Sequence, residues 1–410
     1  MEMIEDKEPK HTASIAVKEL QLHWLLQISK AINYNLPVNQ LFQIYESILR
    51  DHLKVQKLAL FIHDDRWHHT LSYGVEYTLL PEHVEERLNE LNIATLANLQ
   101  MPEWVQGFES IVPVLHNQKP LANAFIGNIA HQHIASLKEV MPFIHTITNI
   151  IVVAIENQRL GKEAIKQAKH QKELELAARM QSMLFPAKLP ANTRIDIAAT
   201  YLPHQQVGGD YYDYIELNKD EILICLADVS GKGISAALLM SNFQANLNAL
   251  AKHFTTLKEM TIELNESVNK TAKGEKFITV FLALINTKTN FITYINAGHN
   301  QPILFCDNQF ALLSTGTTGL GMFEQLPFLN EGMIEFPPGA TLFCYTDGIV
   351  EQENERGDSF GMEKMMELIS KNQDAFTMKD LHFRIVDEFV KFSMRTESLD
   401  DVTLLSCKSL

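Results

Sequence analysis

The sequence predicts an α+β protein of two domains joined by a helical linker. Three observations carry this prediction. Strand-like apolar runs and helical stretches come in blocks over residues 195–406, with no strict strand–helix alternation, which points to antiparallel sheets with helices outside them. Residues 156–185 are rich in Lys, Glu, Gln and Ala, with no Pro and the single Gly161, as in an exposed helix. At 410 residues the chain is also long for one domain, and two is the better prior. The division expected is an α/β domain over 18–158, a linker over 156–190 and a larger domain over 191–410.

The elements follow in order. Leu20, Trp24, Leu25, Ile28 and Ile32, then Leu41, Ile44 and Ile48, recur at helical spacing within residues 18–55. Asn35-Leu-Pro37 interrupts them, and Pro37 suits the start of a second helix. Residues 58–63, 110–115 and 121–128 read as strands, 78–99 as helix or loop, and 137–156 as a long helix. The linker keeps a broken apolar stripe through Ile155, Ile165, Leu174 and Ala178, suited to a short parallel coiled coil. Pro186 and Pro190 end it. Beyond 195, strands are expected at 195–202, 211–217, 221–227, 277–285, 291–296, 302–306, 341–345 and 402–406. Helices are expected at 233–253, 257–271, 362–370 and 378–394.

Composition narrows the function classes. A formal net charge of −15 makes nucleic acid an unsuitable general partner. Cys225, Cys306, Cys344 and Cys407 are scattered, with no C-x-x-C pair, so neither a zinc site nor a redox motif is expected. Most sit in apolar runs, as buried thiols do, which favours a reducing compartment. Residues 1–11 are charged and lack an apolar signal core. The most apolar stretch, 140–155, is broken by Pro142, His145 and Asn149 and falls short of the ~20 residues of a membrane helix. The expectation is a cytoplasmic protein with no membrane segment.

Four acidic segments carry the chemistry: Gly-Gly-Asp-Tyr-Tyr-Asp (208–213), Asp-Val-Ser-Gly-Lys-Gly (228–233), Tyr-Thr-Asp-Gly (345–348) and Asp-Asp-Val-Thr (400–403). Each sets a carboxylate at the edge of a β-branched or aromatic run, where a strand ends. Carboxylates meeting at strand ends repel one another unless a cation lies between them, and hard divalent ions prefer such oxygen ligands. Asp210, Asp228, Asp347 and Asp400 are the candidate metal cage. Singly, each segment has a plainer reading: a turn at Asp347-Gly348, a bulge at Gly208-Gly209, a helix cap at Asp228, a solvated loop at Asp400-Asp401. Two lookalikes fail. A diguanylate cyclase signature needs an acid and an aromatic after Gly-Gly-Asp, where Tyr211 and Tyr212 stand. A P-loop needs Gly at Leu226 and Ser or Thr at Gly233.

Residues 173–410 resemble the SpoIIE/RsbU family of bacterial serine/threonine phosphatases, within the metal-dependent phosphatase 2C-like class. The matching text is Glu173-Leu-Glu-Leu-Ala-Ala-Arg-Met-Gln, Leu184-Phe-Pro, Val207-Gly-Gly-Asp-Tyr-Tyr-Asp and Ala227-Asp-Val-Ser-Gly-Lys-Gly with Ala236-Ala-Leu-Leu-Met. It continues with Asn296-Ala-Gly-His-Asn, Tyr345-Thr-Asp-Gly-Ile-Val-Glu, Phe360-Gly and Leu399-Asp-Asp-Val-Thr. The resemblance implies an α-β-β-α sandwich, two Mn²⁺ or Mg²⁺ ions, and phosphoserine or phosphothreonine proteins as substrates. It makes Asp210 and Asp228 the bridging carboxylates and the Val229 carbonyl a further ligand of one ion. Asp347 and one of Asp400 and Asp401, with Asp400 preferred, would bind the second. Asp213, Glu351, His299 and Lys232 match family positions whose roles stay open: loop structuring or phosphate contact for His299, phosphate contact or a solvated surface for Lys232.

The order of helices, short strands and a closing helix over 18–158 is similar to a GAF sensor domain. With no cysteine before 225, a thioether-linked chromophore is not expected there. Together the resemblances imply a sensor-regulated phosphatase, a homodimer through the linker helix, a possible small-molecule ligand of the N-terminal domain, and a phosphorylated STAS-domain substrate. Two alternatives remain: a catalytically silent docking module, or a receptor acting chiefly through its N-terminal half.

Overall fold

The computed structural model describes residues 8–75, 88, 108–116, 119–129, 137–372, 377–394, 396 and 400–410. It divides into two compact units, 1–168 and 169–410. The division falls inside one continuous helix, Leu137–Ser182, where the sequence suggests a domain helix to 156 and a separate linker helix after it. Nothing between 156 and 182 stops a helix: Gly161 alone costs about 1 kcal/mol.

In the N-terminal unit, β1 (Val55–His63), β2 (Trp67–Tyr73), β3 (Ser110–His116) and β4 (Lys119–Ile129) form an antiparallel sheet in the order β2-β1-β4-β3. The sequence reading missed β2. Its Trp67-His-His-Thr-Leu-Ser-Tyr lacks a continuous apolar run, and most of it is at least partly exposed. Helices Glu8–Asn33 and Val38–Ser47 are separated where expected: Asn35 takes a left-handed φ of 50° and Pro37 stands at the second N-cap. Along β1 the pleat sends Leu58 and Leu60 to the helical face and Ala59 and Phe61 to the other, where Trp67, Phe108 and Phe125 gather. Ile28, Leu41, Ile144, Ile147 and Ile151 fill the helical face, each buried aliphatic side chain stabilising by about 1.5–3 kcal/mol. A buried Tyr45–Thr148 hydroxyl bond of 2.7 Å ties the second helix to the closing one.

Helix Val140–Ser182 is long and apolar enough to cross a membrane by length and composition. Its apolar residues Val140, Phe143, Ile144, Ile147, Ile151 and Val152 lie in this core. The expected helix or loop at 78–99 lies almost wholly outside the described residues.

The C-terminal unit has two stacked sheets. The first orders β11-β10-β14-β15-β5: Gln309–Leu312, Ile303–Cys306, Thr341–Tyr345, Val402–Ser409 and Ile195–Leu202. The second orders β12-β9-β8-β7-β6: Gly316–Thr317, Phe291–Ala297, Ile278–Asn286, Glu221–Val229 and Tyr211–Glu216, with β13 (Gly332–Glu335) also on β9. The period of two decides the layers. On β7, Ile222, Ile224 and Leu226 face the other sheet, while Leu223, Cys225 and Ala227 face helices Ile234–Leu250 and Leu257–Ala272. On β14, Leu342 and Cys344 face inward; Phe343 and Tyr345 face helices Met362–Lys371 and Met378–Phe392. The result is the α-β-β-α sandwich. The last helix starts on a capping box, Thr377 with Asp380, and buried Asp196 accepts the Met378 amide at 2.7 Å, a cap of about 1 kcal/mol. Cys225, Cys344 and Cys407 are buried thiols, and burial pushes all three pKa values up.

Candidate metal centre

Strand register brings the acidic segments to one end of the sandwich. Tyr211 pairs with Ala227 across β6 and β7, so Asp210 and Asp228 stand at adjoining ends of neighbouring strands. Tyr345 pairs with Leu404 across β14 and β15, and the Thr346 amide donates to the Thr403 carbonyl at 3.0 Å. Asp347 therefore opens the short helix Asp347–Val350 at the same end where Asp400 and Asp401 lead into β15.

Asp210 is buried. Its Oδ2 accepts hydrogen bonds from the Thr346 hydroxyl, at 2.9 Å, and from the Thr403 hydroxyl. The two threonines are fully buried, and the Thr346 hydroxyl also accepts the Thr403 amide at 2.9 Å. Burial first, and then the charge of Asp228, hold Asp210 well above the usual carboxylate range. Asp228 is pushed up to about 7 by burial, then by Asp347 and Asp400, although its hydrogen bond with Asp210 pulls it down. Asp347 is raised by burial, then by Glu351 and Asp400. Asp228 thus links Asp210 to Asp347 and Asp400 in one electrostatic cluster, to which Asp401 also adds its charge.

The neighbouring groups sort themselves. Lys232 pairs with Asp400 Oδ2 at 3.0 Å, with both side chains 42% exposed at the mouth of the cluster. Asp401 is 7% exposed, its Oδ1 accepting the His204 amide at 2.8 Å and its Oδ2 the Gly209 amide at 2.9 Å. A Cβ placed on Gly209 would lie 2.9 Å from the Val229 carbonyl oxygen, so only glycine lets that carbonyl sit against the Asp210 loop. His299 is buried behind the cluster: its Nδ1 meets the Thr279 hydroxyl at 2.9 Å and its amide donates to Asn296 Oδ1 at 2.8 Å. Thr279 pairs with Asp228 across the sheet, and burial holds the imidazole down to about 4. Asp213 lies away from the cluster, bonded to the Tyr211 hydroxyl and, at 2.9 Å, to Asn248. Glu351 is exposed and lies close enough to Asp347 to raise its pKa.

The sequence reading missed Thr346, Thr403, Gln181 and Lys276. Gln181 is buried and forms a reciprocal pair with Gly208, donating to its carbonyl at 2.7 Å and accepting its amide at 3.2 Å. The Lys276 ammonium donates to the Ser230 carbonyl at 2.7 Å and pins the loop after Val229. A polar residue two places after an acid at a strand start (Thr403 after Asp401), or just before one (Thr346 before Asp347), was the available signal.

Among the described residues no group of three or more His, Cys, Asp or Glu side chains stands closed tightly enough to hold an ion. The chemistry of the donor set nevertheless fits hard divalent cations: all oxygen, carboxylate-rich, and carrying a repulsion that a cation would reverse.

The sequence matches the SpoIIE family, Stage II sporulation protein E, over residues 218–409, which takes in Asp228, Asp347 and Asp400 but not Asp210. The phosphoserine phosphatase RsbU of Bacillus subtilis is 29% identical over 292 residues, 67% of this chain and 84% of that protein. The phosphoserine phosphatase RsbP of Bacillus subtilis is 27% identical over 186 residues, 44% of this chain and 45% of that protein. Among solved structures, the SiaA-PP2C domain of Pseudomonas aeruginosa matches with a TM-score of 0.53 at 19% identity, covering 60% of this chain and 99% of that one. Residues 218–409 thus match the SpoIIE family model, the chain is similar in sequence to RsbU and RsbP, and its C-terminal unit shares the fold of the SiaA-PP2C domain.

Proposed function

We propose that the chain is a metal-dependent phosphatase of phosphoserine and phosphothreonine proteins. The observation that carries this reading is the convergence of the Asp210–Asp228 pair with Asp347 and Asp400 at one end of the sandwich. Asp210, Asp228 and the Val229 carbonyl would hold one Mn²⁺ or Mg²⁺ ion, with Asp347 and Asp400 serving a second. Two such ions, when bound, lower the pKa of a shared water and offset the charge of the phosphoryl oxygens. The protein's own part is positional. Thr346 and Thr403 fix the Asp210 carboxylate, and Asp401 accepts the His204 and Gly209 amides. Lys232 stands beside Asp400 at the exposed mouth, where an ammonium meets an incoming phosphate dianion.

Similarity to RsbU supports a phosphorylated partner as substrate, and a STAS-domain protein in a partner-switching pathway fits that similarity. The N-terminal unit would act as a GAF-like sensor, with a small-molecule ligand and with dimerisation through residues 156–190. Gln181 places the end of that helix in direct hydrogen bonding with the Asp210 loop, so a shift of the helix would change the fit of the site. A bias of a few kcal/mol is enough to switch a two-state helix. Buried free thiols support a reducing, cytoplasmic setting.

The test is hydrolysis of para-nitrophenyl phosphate and of phosphorylated STAS proteins by the full chain, with Mn²⁺ and with Mg²⁺. Metal-dependent turnover that Asp347→Asn abolishes is expected. Turnover near wild type in Asp347→Asn at limiting metal overturns the assignment, and no hydrolysis with either ion favours the silent docking module.

A further inference from the structure

We infer that Asp401 is a positioning residue: it clamps the Gly208-Gly209 turn that aims Asp210. Both Asp401 oxygens are engaged by backbone amides, those of His204 at 2.8 Å and Gly209 at 2.9 Å, so one carboxylate spans the loop from end to end. Carboxylates that accept two amide bonds are held in place by them. Asp400, one residue earlier, is half-exposed at the mouth and its Oδ2 faces the Lys232 ammonium.

The turn is built around this clamp. A Cβ placed on Gly208 would lie 2.0 Å from Asp401 Oδ2 and 2.2 Å from the Tyr201 hydroxyl oxygen, so the glycine peptide lies flat on both groups. The Tyr201 hydroxyl is buried there with no hydrogen-bond partner among the described residues. From the other side, Gln181 bonds the Gly208 amide and carbonyl. With Asp401 on the Gly209 amide, three consecutive polar groups of the turn are fixed immediately before Asp210.

This inference rests on the reading of Asp210 as an ion ligand only for its functional consequence; the clamp itself can be tested in metal-free protein. Asp401 also adds charge beside Asp210 and Asp228, so a clamp is recognised by a net loss of stability when Asp401 is neutralised, its two amide bonds outweighing that repulsion. Asp400 has the exposed Lys232 pair and accepts the Asp401 amide. The full chain, Asp401→Asn and Asp400→Asn are compared in EDTA by thermal melting and by amide exchange at Gly209 and His204, then titrated with Mn²⁺ by calorimetry.

Asp401→Asn is expected to lower the metal-free melting temperature and to speed exchange at Gly209 by about tenfold or more, the loss of one charge-assisted bond. It should also weaken Mn²⁺ binding, a property that a merely structural bond elsewhere in the fold would not move. Asp400→Asn should leave the Gly209 and His204 amides protected and lower the melting temperature less than Asp401→Asn does. A rise in the metal-free melting temperature of Asp401→Asn, or unchanged Gly209 exchange, overturns the inference. Should Asp401→Asn fail to fold, the wild-type chain still decides. Slow Gly209 exchange in EDTA supports the clamp, and exchange as fast as in an open loop refutes it.

Discussion

Replacing Thr346 with Val removes one hydroxyl from the floor of the carboxylate cluster while keeping the side-chain volume. That hydroxyl donates to Asp210 Oδ2 at 2.9 Å and accepts the Thr403 amide at 2.9 Å, with Thr346 and Thr403 both fully buried. Losing a hydrogen bond to a carboxylate costs about 1.5–3 kcal/mol, and leaving a buried amide unpaired costs about 1–3 kcal/mol. Together these amount to about 2.5–6 kcal/mol. For a domain of this size each kcal/mol moves the midpoint by about 2–4 °C, so the C-terminal unit should melt about 5–24 °C lower. Thermal unfolding of the full chain in EDTA, followed by circular dichroism, reads the shift. Thr346→Ser restores the hydroxyl and should recover more than half of it. A midpoint for Thr346→Val within about 2 °C of wild type, or Ser no better than Val, refutes the account of how Asp210 is held.

Two further outcomes are expected. His382 is buried between the Thr200 hydroxyl at 3.0 Å and the Ser406 hydroxyl at 2.8 Å, and burial holds it down to about 3. An unfolded imidazole titrates near ~6.5, so its contribution is complete above that pH and is lost as pH falls from about 6.5 towards about 3, with a limiting slope of about 1.4 kcal/mol per pH unit. Urea unfolding of His382→Gln between about pH 4 and 6 should show a slope smaller by about one proton; an unchanged slope contradicts this. Gln181→Ala leaves the Gly208 amide and carbonyl without their side-chain partner. Its hydrolysis should need roughly tenfold more Mn²⁺ for half-maximal rate, and an identical Mn²⁺ dependence would detach the linker helix from the site.

Much of the C-terminal fold was legible because its strands are long apolar runs ending at Gly, Pro or Asp. Residues 195–202, 341–345 and most of 221–229 read as strands from composition alone. Short polar strands such as Gln309–Leu312 and Gly332–Glu335 carried no such signal, because they take their form from pairing with β10 and β9 rather than from their own propensity. The candidate cage was legible because charge at the end of an apolar strand is conspicuous. What surrounds it was not. Thr346 and Thr403 look like ordinary β-branched residues until register sets both hydroxyls on Asp210. Asp400 and Asp401 are the same residue type side by side, and only the folded loop gives Asp401 the amides of His204 and Gly209. Gln181 sits in a polar helix where nothing in the sequence marks one glutamine as buried.

Asp210, Asp228 and Asp347 are proposed to converge on a shared pair of divalent ions. Crystals of the chain grown with Mn²⁺ test it most directly through anomalous scattering at the manganese edge. Two peaks are expected beside these carboxylates, with oxygen contacts of about 2.1 Å, as hard-ion coordination requires, and with Asp401 still bonded to the Gly209 amide. No peak at this end of the sandwich, or manganese bound only elsewhere, would contradict it.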